Sequence, residues 1–60
     1  MKINIKFEDG EKKEVEHHGD FTFPQWVKDF FSARYYVLSN SNEKGNLAID
    51  TQKVKYVELQ

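Results

Sequence analysis

The stretch whose reading decides the fold is Phe23-Pro24-Gln25-Trp26-Val27-Lys28-Asp29-Phe30-Phe31-Ser32. Its apolar residues, Phe23, Trp26, Val27, Phe30 and Phe31, recur at i, i+3, i+4, i+7 and i+8, the stripe of a helix lying against something else. Gln25, Lys28, Asp29 and Ser32 take the other face. Pro24 falls near the first helical position, where its missing N–H costs nothing. Thr22 or Phe23 is then the cap. The Thr22…Gln25 spacing matches a capping box, while a residue before proline avoids helical angles, so the two signals compete. The helical pattern fades near Ser32-Ala33-Arg34.

Everything outside this helix reads as short strands. Residues Lys2 to Glu8 alternate strictly, with Ile3, Ile5 and Phe7 on one side and Lys2, Asn4, Lys6 and Glu8 on the other, a half-buried strand. Asp9-Gly10 follows, a strong hairpin signal. Glu11 to His17 forms a weaker strand whose one aliphatic residue is Val15. A two-residue loop would set Val15 against Asn4 and turn it away from the isoleucines. A three-residue loop, Glu8-Asp9-Gly10, pairs Phe7 with Glu11 and Ile3 with Val15, uniting the apolar face. It also places Gly10 at the left-handed position of a G1 bulge, so the three-residue loop is the expected one. The second strand carries charge on both faces, which suits a sheet edge.

Beyond the helix, Tyr35 to Ser39 is β-rich, and Asn40-Ser41-Asn42-Glu43-Lys44-Gly45-Asn46 is turn chemistry. Leu47-Ala48-Ile49 is a short strand, and Val54 to Leu59 is the last. Parity does not settle how residue 38 meets residue 47. Val54 and Val57, three apart, break strict alternation; a tight or 3₁₀ turn over Asp50 to Val54 would absorb this and leave Val57 and Leu59 pointing inward. The expected architecture is one α+β domain over residues 1–60, order β-β-α-β-β-β, its single helix packed on a bent antiparallel sheet. A small SH3-like or Sm-like barrel is the alternative.

Sixty residues bury about 60% of their extended-chain surface on folding, so stability needs reinforcement. With no cysteine, neither a disulfide nor a thiolate metal site is available. Dense aromatic packing or self-association remains. Nine basic against ten acidic residues, with no block of one sign, argue against coating nucleic acid by bulk charge. No apolar run approaches the roughly 18 residues that span a bilayer. Met1-Lys2-Ile3-Asn4-Ile5-Lys6 has no apolar stretch behind its charge and does not read as a signal peptide. The expected location is the cytoplasm.

Few residues suggest reaction chemistry. Adjacent His17 and His18 point to opposite faces of an extended chain and are poorly placed to hold one metal, even with Asp20 nearby. Serines occur at 32, 39 and 41 without flanking motifs, and the three glycines stand alone at 10, 19 and 45. Glu14 and Glu16 look like surface charge. These features point away from an enzyme and suggest no cofactor or metal.

Seven aromatics crowd Phe21 to Tyr36: Phe21, Phe23, Trp26, Phe30, Phe31, Tyr35 and Tyr36. The helix stripe can bury four. Phe21 and one of Tyr35 or Tyr36, which face opposite ways in a strand, must lie partly outside. The bland role for that tyrosine is to cover the helix end. The sharper one is that Arg34, Tyr35, Tyr36 and Phe21 form a partner-binding surface, since Tyr, Trp and Arg dominate interface hot spots.

Lys2, Lys6 and Lys12 share one face of the first hairpin, and Lys53 and Lys55 one face of the last strand. Neighbouring, these would make a basic stripe for single-stranded nucleic acid, which Glu8, Glu14 and Glu16 dilute. The last strand, with Tyr56, Val57 and Leu59, could pair with a second copy if it lies at an edge.

Small size, absence of cysteine, and segments such as Met1-Lys2-Ile3-Asn4-Ile5-Lys6 and Leu47-Ala48-Ile49-Asp50-Thr51-Gln52-Lys53-Val54-Lys55-Tyr56-Val57-Glu58 give the chain a composition that resembles small orphan accessory proteins of phages and mobile elements of AT-rich Gram-positive bacteria. The resemblance implies an accessory role executed by binding a host or phage macromolecule. It transfers no catalytic or binding residue.

Overall fold

The computed structural model describes residues 1–38 and 47–60. The elements are β1 (Lys2–Phe7), β2 (Lys12–Glu16), α1 (Phe23–Phe30), β3 (Tyr35–Leu38), β4 (Leu47–Asp50), a 3₁₀ turn (Thr51–Lys53) and β5 (Val54–Leu59). This is the expected α+β order, β-β-α-β-β-β. Ser39 and the turn sequence Asn40 to Asn46 lie outside the described residues.

The strands divide between two antiparallel sheets, β2-β1-β5 and β3-β4, where the sequence suggests one bent sheet. The chain leaves the first sheet between β2 and β3, where α1 and its flanking loops intervene, and returns to it between β4 and β5 through the 3₁₀ turn. A closed small barrel would need β2 and β3 to pair, which they do not among the described residues.

The β1–β2 hairpin has the three-residue loop. Ile3 pairs with Val15 and Lys6 with Lys12. The Phe7 N–H donates to the Glu11 carbonyl at 2.8 Å, the Gly10 N–H donates to the Phe7 carbonyl at 3.0 Å, and Gly10 takes φ +97°. The charged β2 is an edge strand, as its composition suggests.

On the other side of β1, Ile5 pairs with Val57 and Lys6 with Tyr56, but Phe7 pairs with Val54. Lys55 is therefore the extra residue of a β-bulge. A 3₁₀ turn does precede the strand, yet it is this bulge that repairs the broken alternation, putting half-buried Val54 and Val57 on one face. Leu59 shares that face opposite Ile3 but stays exposed at the sheet's end.

Helix α1 opens with the capping box: Thr22 Oγ1 accepts from the Gln25 N–H at 3.4 Å, and Gln25 Oε1 accepts from the Thr22 N–H at 2.9 Å. Thr22 is the cap, with extended backbone, so Pro24 sits at the second helical position, where an N–H would also lack a partner. The helix ends earlier than its apolar pattern. Phe31 is already the C-cap, with the Ser32 hydroxyl donating back to the Asp29 carbonyl at 2.6 Å. Phe31 is consequently exposed, its ring edge-on to Phe30 with centroids 4.8 Å apart, and Phe23 is half-buried, so the helix buries two of its four aromatics, Trp26 and Phe30, rather than all four.

The core joins the inner faces of both sheets to the helix: Ile3, Ile5 and Val15 from one sheet, Trp26 and Phe30 from α1, Leu38 and Ile49 from the other. Trp26 stacks on Phe30 at 4.9 Å, and Tyr36 packs against both rings at 5.8 and 5.0 Å. This aromatic cluster supplies the dense packing that a short chain without disulfides needs. Thr51 anchors the loop after α1 to the turn after β4. Its hydroxyl lies 2.8 Å from the carbonyl oxygens of both Ala33 and Arg34, and its N–H donates to Arg34 at 2.7 Å.

Candidate interaction surface

The two faces of β3–β4 differ because side chains alternate along each strand. Tyr36 pairs with Ile49 and Leu38 with Leu47 on the inner face. Tyr35 pairs with Asp50 and Val37 with Ala48 on the outer face. Tyr35 is 55% exposed and Val37 52%, and Ala48 is exposed beside them. The hairpin thus turns an aromatic and an aliphatic side chain into solvent.

The tyrosine is held in place. The Arg34 guanidinium carbon lies 5.5 Å from the Tyr35 ring centroid, a cation–π contact. Arg34 Nη2 is also 3.3 Å from Asp50 Oδ2. The hydrogen bond from Arg34 lowers the Asp50 carboxyl below its ordinary pKa, and the same contact raises the Arg34 guanidinium. Asp50 Oδ1 accepts from the Gln52 N–H at 3.0 Å, so the acid that positions Arg34 also caps the 3₁₀ turn. A ring restrained this way loses less rotamer freedom when a partner covers it.

Of the residues singled out from the sequence, Arg34 and Tyr35 come together here. Tyr36 does not join them: it faces the core and packs on Trp26 and Phe30. Phe21 is exposed but stacks on His17, with ring centroids 5.6 Å apart. The structure adds Val37, Ala48 and Asp50 to Arg34 and Tyr35. Alternation along Tyr35-Tyr36-Val37-Leu38 could have flagged Val37, but Ala48 and Asp50 needed the 38-to-47 register.

His17 and His18 border a cleft of about 110 Å³ between the end of β2 and β3, floored by Val15, Trp26, Tyr36 and Leu38. The two imidazoles have separate partners, Phe21 for His17 and Glu16 Oε1, 2.8 Å from Nε2, for His18. Among the described residues no group of three or more His, Asp or Glu side chains is placed to hold a metal ion.

The lysines do not form one stripe. Lys2, Lys6 and Lys12 share the outer face of the three-stranded sheet, with Lys6 directly opposite Lys12. Lys53 lies in the 3₁₀ turn and Lys55 at the bulge, so the two do not share a strand face. Acidic residues interrupt the cluster: Glu16 opposes Lys2, and Glu14 and Glu58 flank Asn4. That mixed face is not a groove that would track a phosphate backbone.

No described helix is long and apolar enough to cross a membrane. Compared with protein-family models, curated proteins and solved structures, the chain matches none of them.

Proposed function

We propose that the chain is a small, non-enzymatic binding module of the cytoplasm that grips another protein through the outer face of β3–β4. The observation that carries this reading is Tyr35, exposed yet pinned under Arg34, with Val37 and Ala48 beside it. Tyrosine and arginine are the residues on which interface energy concentrates, and here they are already arranged before a partner arrives. An accessory role in a phage or mobile element of a Gram-positive host fits a module of this size.

The test compares capture from Gram-positive lysate by the native chain with that by Tyr35→Ala and Val37→Lys chains, and a separate chain with a photo-crosslinking aromatic at position 35 identifies the protein in contact. Tyr36 is left alone, because its contacts with Trp26 and Phe30 make it part of the fold. One protein should crosslink at position 35, and each substitution should weaken its capture at least about tenfold, the cost of losing one hot-spot side chain. Equal capture by all three chains would remove the basis of the proposal.

A further inference from the structure

We infer that two copies of this chain associate through β5, antiparallel about a two-fold axis at Val57, joining their three-stranded sheets into one of six strands. The inference goes beyond the binding reading, since it uses a different sheet from the one that carries Tyr35.

The hydrogen-bond phase determines which backbone groups are available. The Gln60 N–H donates to the Lys2 carbonyl at 3.0 Å, in register with Asn4 opposite Glu58 and Lys6 opposite Tyr56. In an antiparallel ladder bonded pairs alternate, so the backbone groups of Tyr56 and Glu58 face β1, and those of Val57 and Leu59 face away from it. Among the described residues no strand lies beyond them. The opposite edge, β2, is crowded with Lys12, Glu14 and Glu16. At β5 the charges are Lys55 and Glu58 alone, with Tyr56 45% and Leu59 48% exposed.

Charge and geometry select the register. Keeping both cores on one side of the joined sheet requires a residue to meet its own copy on the axis. Centring on Lys55 or Glu58 opposes identical charges. Centring on Tyr56 places the outward-facing bonded pairs at the Lys55 bulge, where the strand bends. Centring on Val57 gives a bonded Val57–Val57 pair clear of the bulge and sets Tyr56 against Glu58 of the second copy on both sides of it.

The outer faces then complement one another. One row of each sheet runs Glu14, Asn4, Glu58, and the next runs Lys12, Lys6, Tyr56. The two-fold axis continues the acidic row of one copy into the basic row of the other. Exposed Lys55, next in the chain to Tyr56, comes within a residue of Glu58 of the second copy.

A contact of one short strand is small, so the full chain should be examined by sedimentation equilibrium from about 10 µM to about 1 mM, the range suited to weak interfaces. The average mass should rise from 7.1 kDa towards twice that. Glu58→Lys and Lys55→Glu, both at exposed positions, should each weaken association about tenfold, and the double variant should recover most of it. On the unaltered chain, amide exchange at Val57 should slow as concentration rises. A mass fixed at 7.1 kDa, association indifferent to the single charge reversals, or a Val57 amide indifferent to concentration would each overturn the inference.

Discussion

Thr51→Val isolates one buried polar anchor. The substitution keeps the side chain's shape and deletes its donor at a position that is only 7% exposed. In the native structure the hydroxyl lies 2.8 Å from both the Ala33 and the Arg34 carbonyl oxygens. The Arg34 carbonyl retains the Thr51 N–H at 2.7 Å, so the Ala33 carbonyl carries the loss. Leaving a buried acceptor unsatisfied costs about 1–3 kcal/mol; because Ala33 is itself exposed and water can reach part of the site, about 1–2 kcal/mol is expected. For a chain of 60 residues the unfolding entropy makes each kcal/mol worth roughly 8 °C. Thr51→Val should therefore lower the melting midpoint, followed by far-UV circular dichroism, by roughly 8–16 °C. Thr51→Ser, which keeps the hydroxyl and loses a methyl, should fall less. A valine variant melting within roughly 3 °C of the native chain, less than half a kcal/mol, would refute the anchor, as would a serine variant that falls as far.

Two further substitutions probe the turn and the ion pair. Gly10 holds φ +97° with no atom within 4 Å of a built Cβ, so Gly10→Ala should cost about 1–2 kcal/mol from backbone conformation alone, and Gly10→Asn less, measured by urea midpoints; an alanine variant as stable as the native chain would contradict this. Asp50, whose pKa is lowered chiefly by the Arg34 hydrogen bond, contributes stability that is full above its ordinary carboxylate value and lost as pH falls through the lowered one. The urea-midpoint difference between the native chain and Asp50→Asn, which can still cap the 3₁₀ turn, should thus hold steady from neutral pH and close in acid. A difference that persists there would show that the carboxylate's charge is not its source.

Local chemistry was sufficient for much of this fold. Strict alternation located β1, turn parity and Asp9-Gly10 chose the three-residue loop, and the i, i+3, i+4 stripe located α1, because each signal acts within a few residues. The charges on both faces of β2 marked an edge for the same reason. The helix's early end was less visible, since Phe31 fits the apolar stripe while the Ser32 N–H turns to the Asp29 carbonyl, three residues back, and tightens the last turn. For the candidate surface, the sequence offered Arg34 and Tyr35 but could not choose between Tyr35 and Tyr36, because alternation says only that they part. The choice belongs to tertiary structure: Trp26 and Phe30 receive Tyr36, which leaves Tyr35 to solvent under Arg34. The division into two sheets, the bulge at Lys55 and the burial of Thr51 likewise depend on long-range meetings. β1 must find β5, and the turn after β4 must find the loop after α1, and neither encounter is written in any neighbouring run of residues.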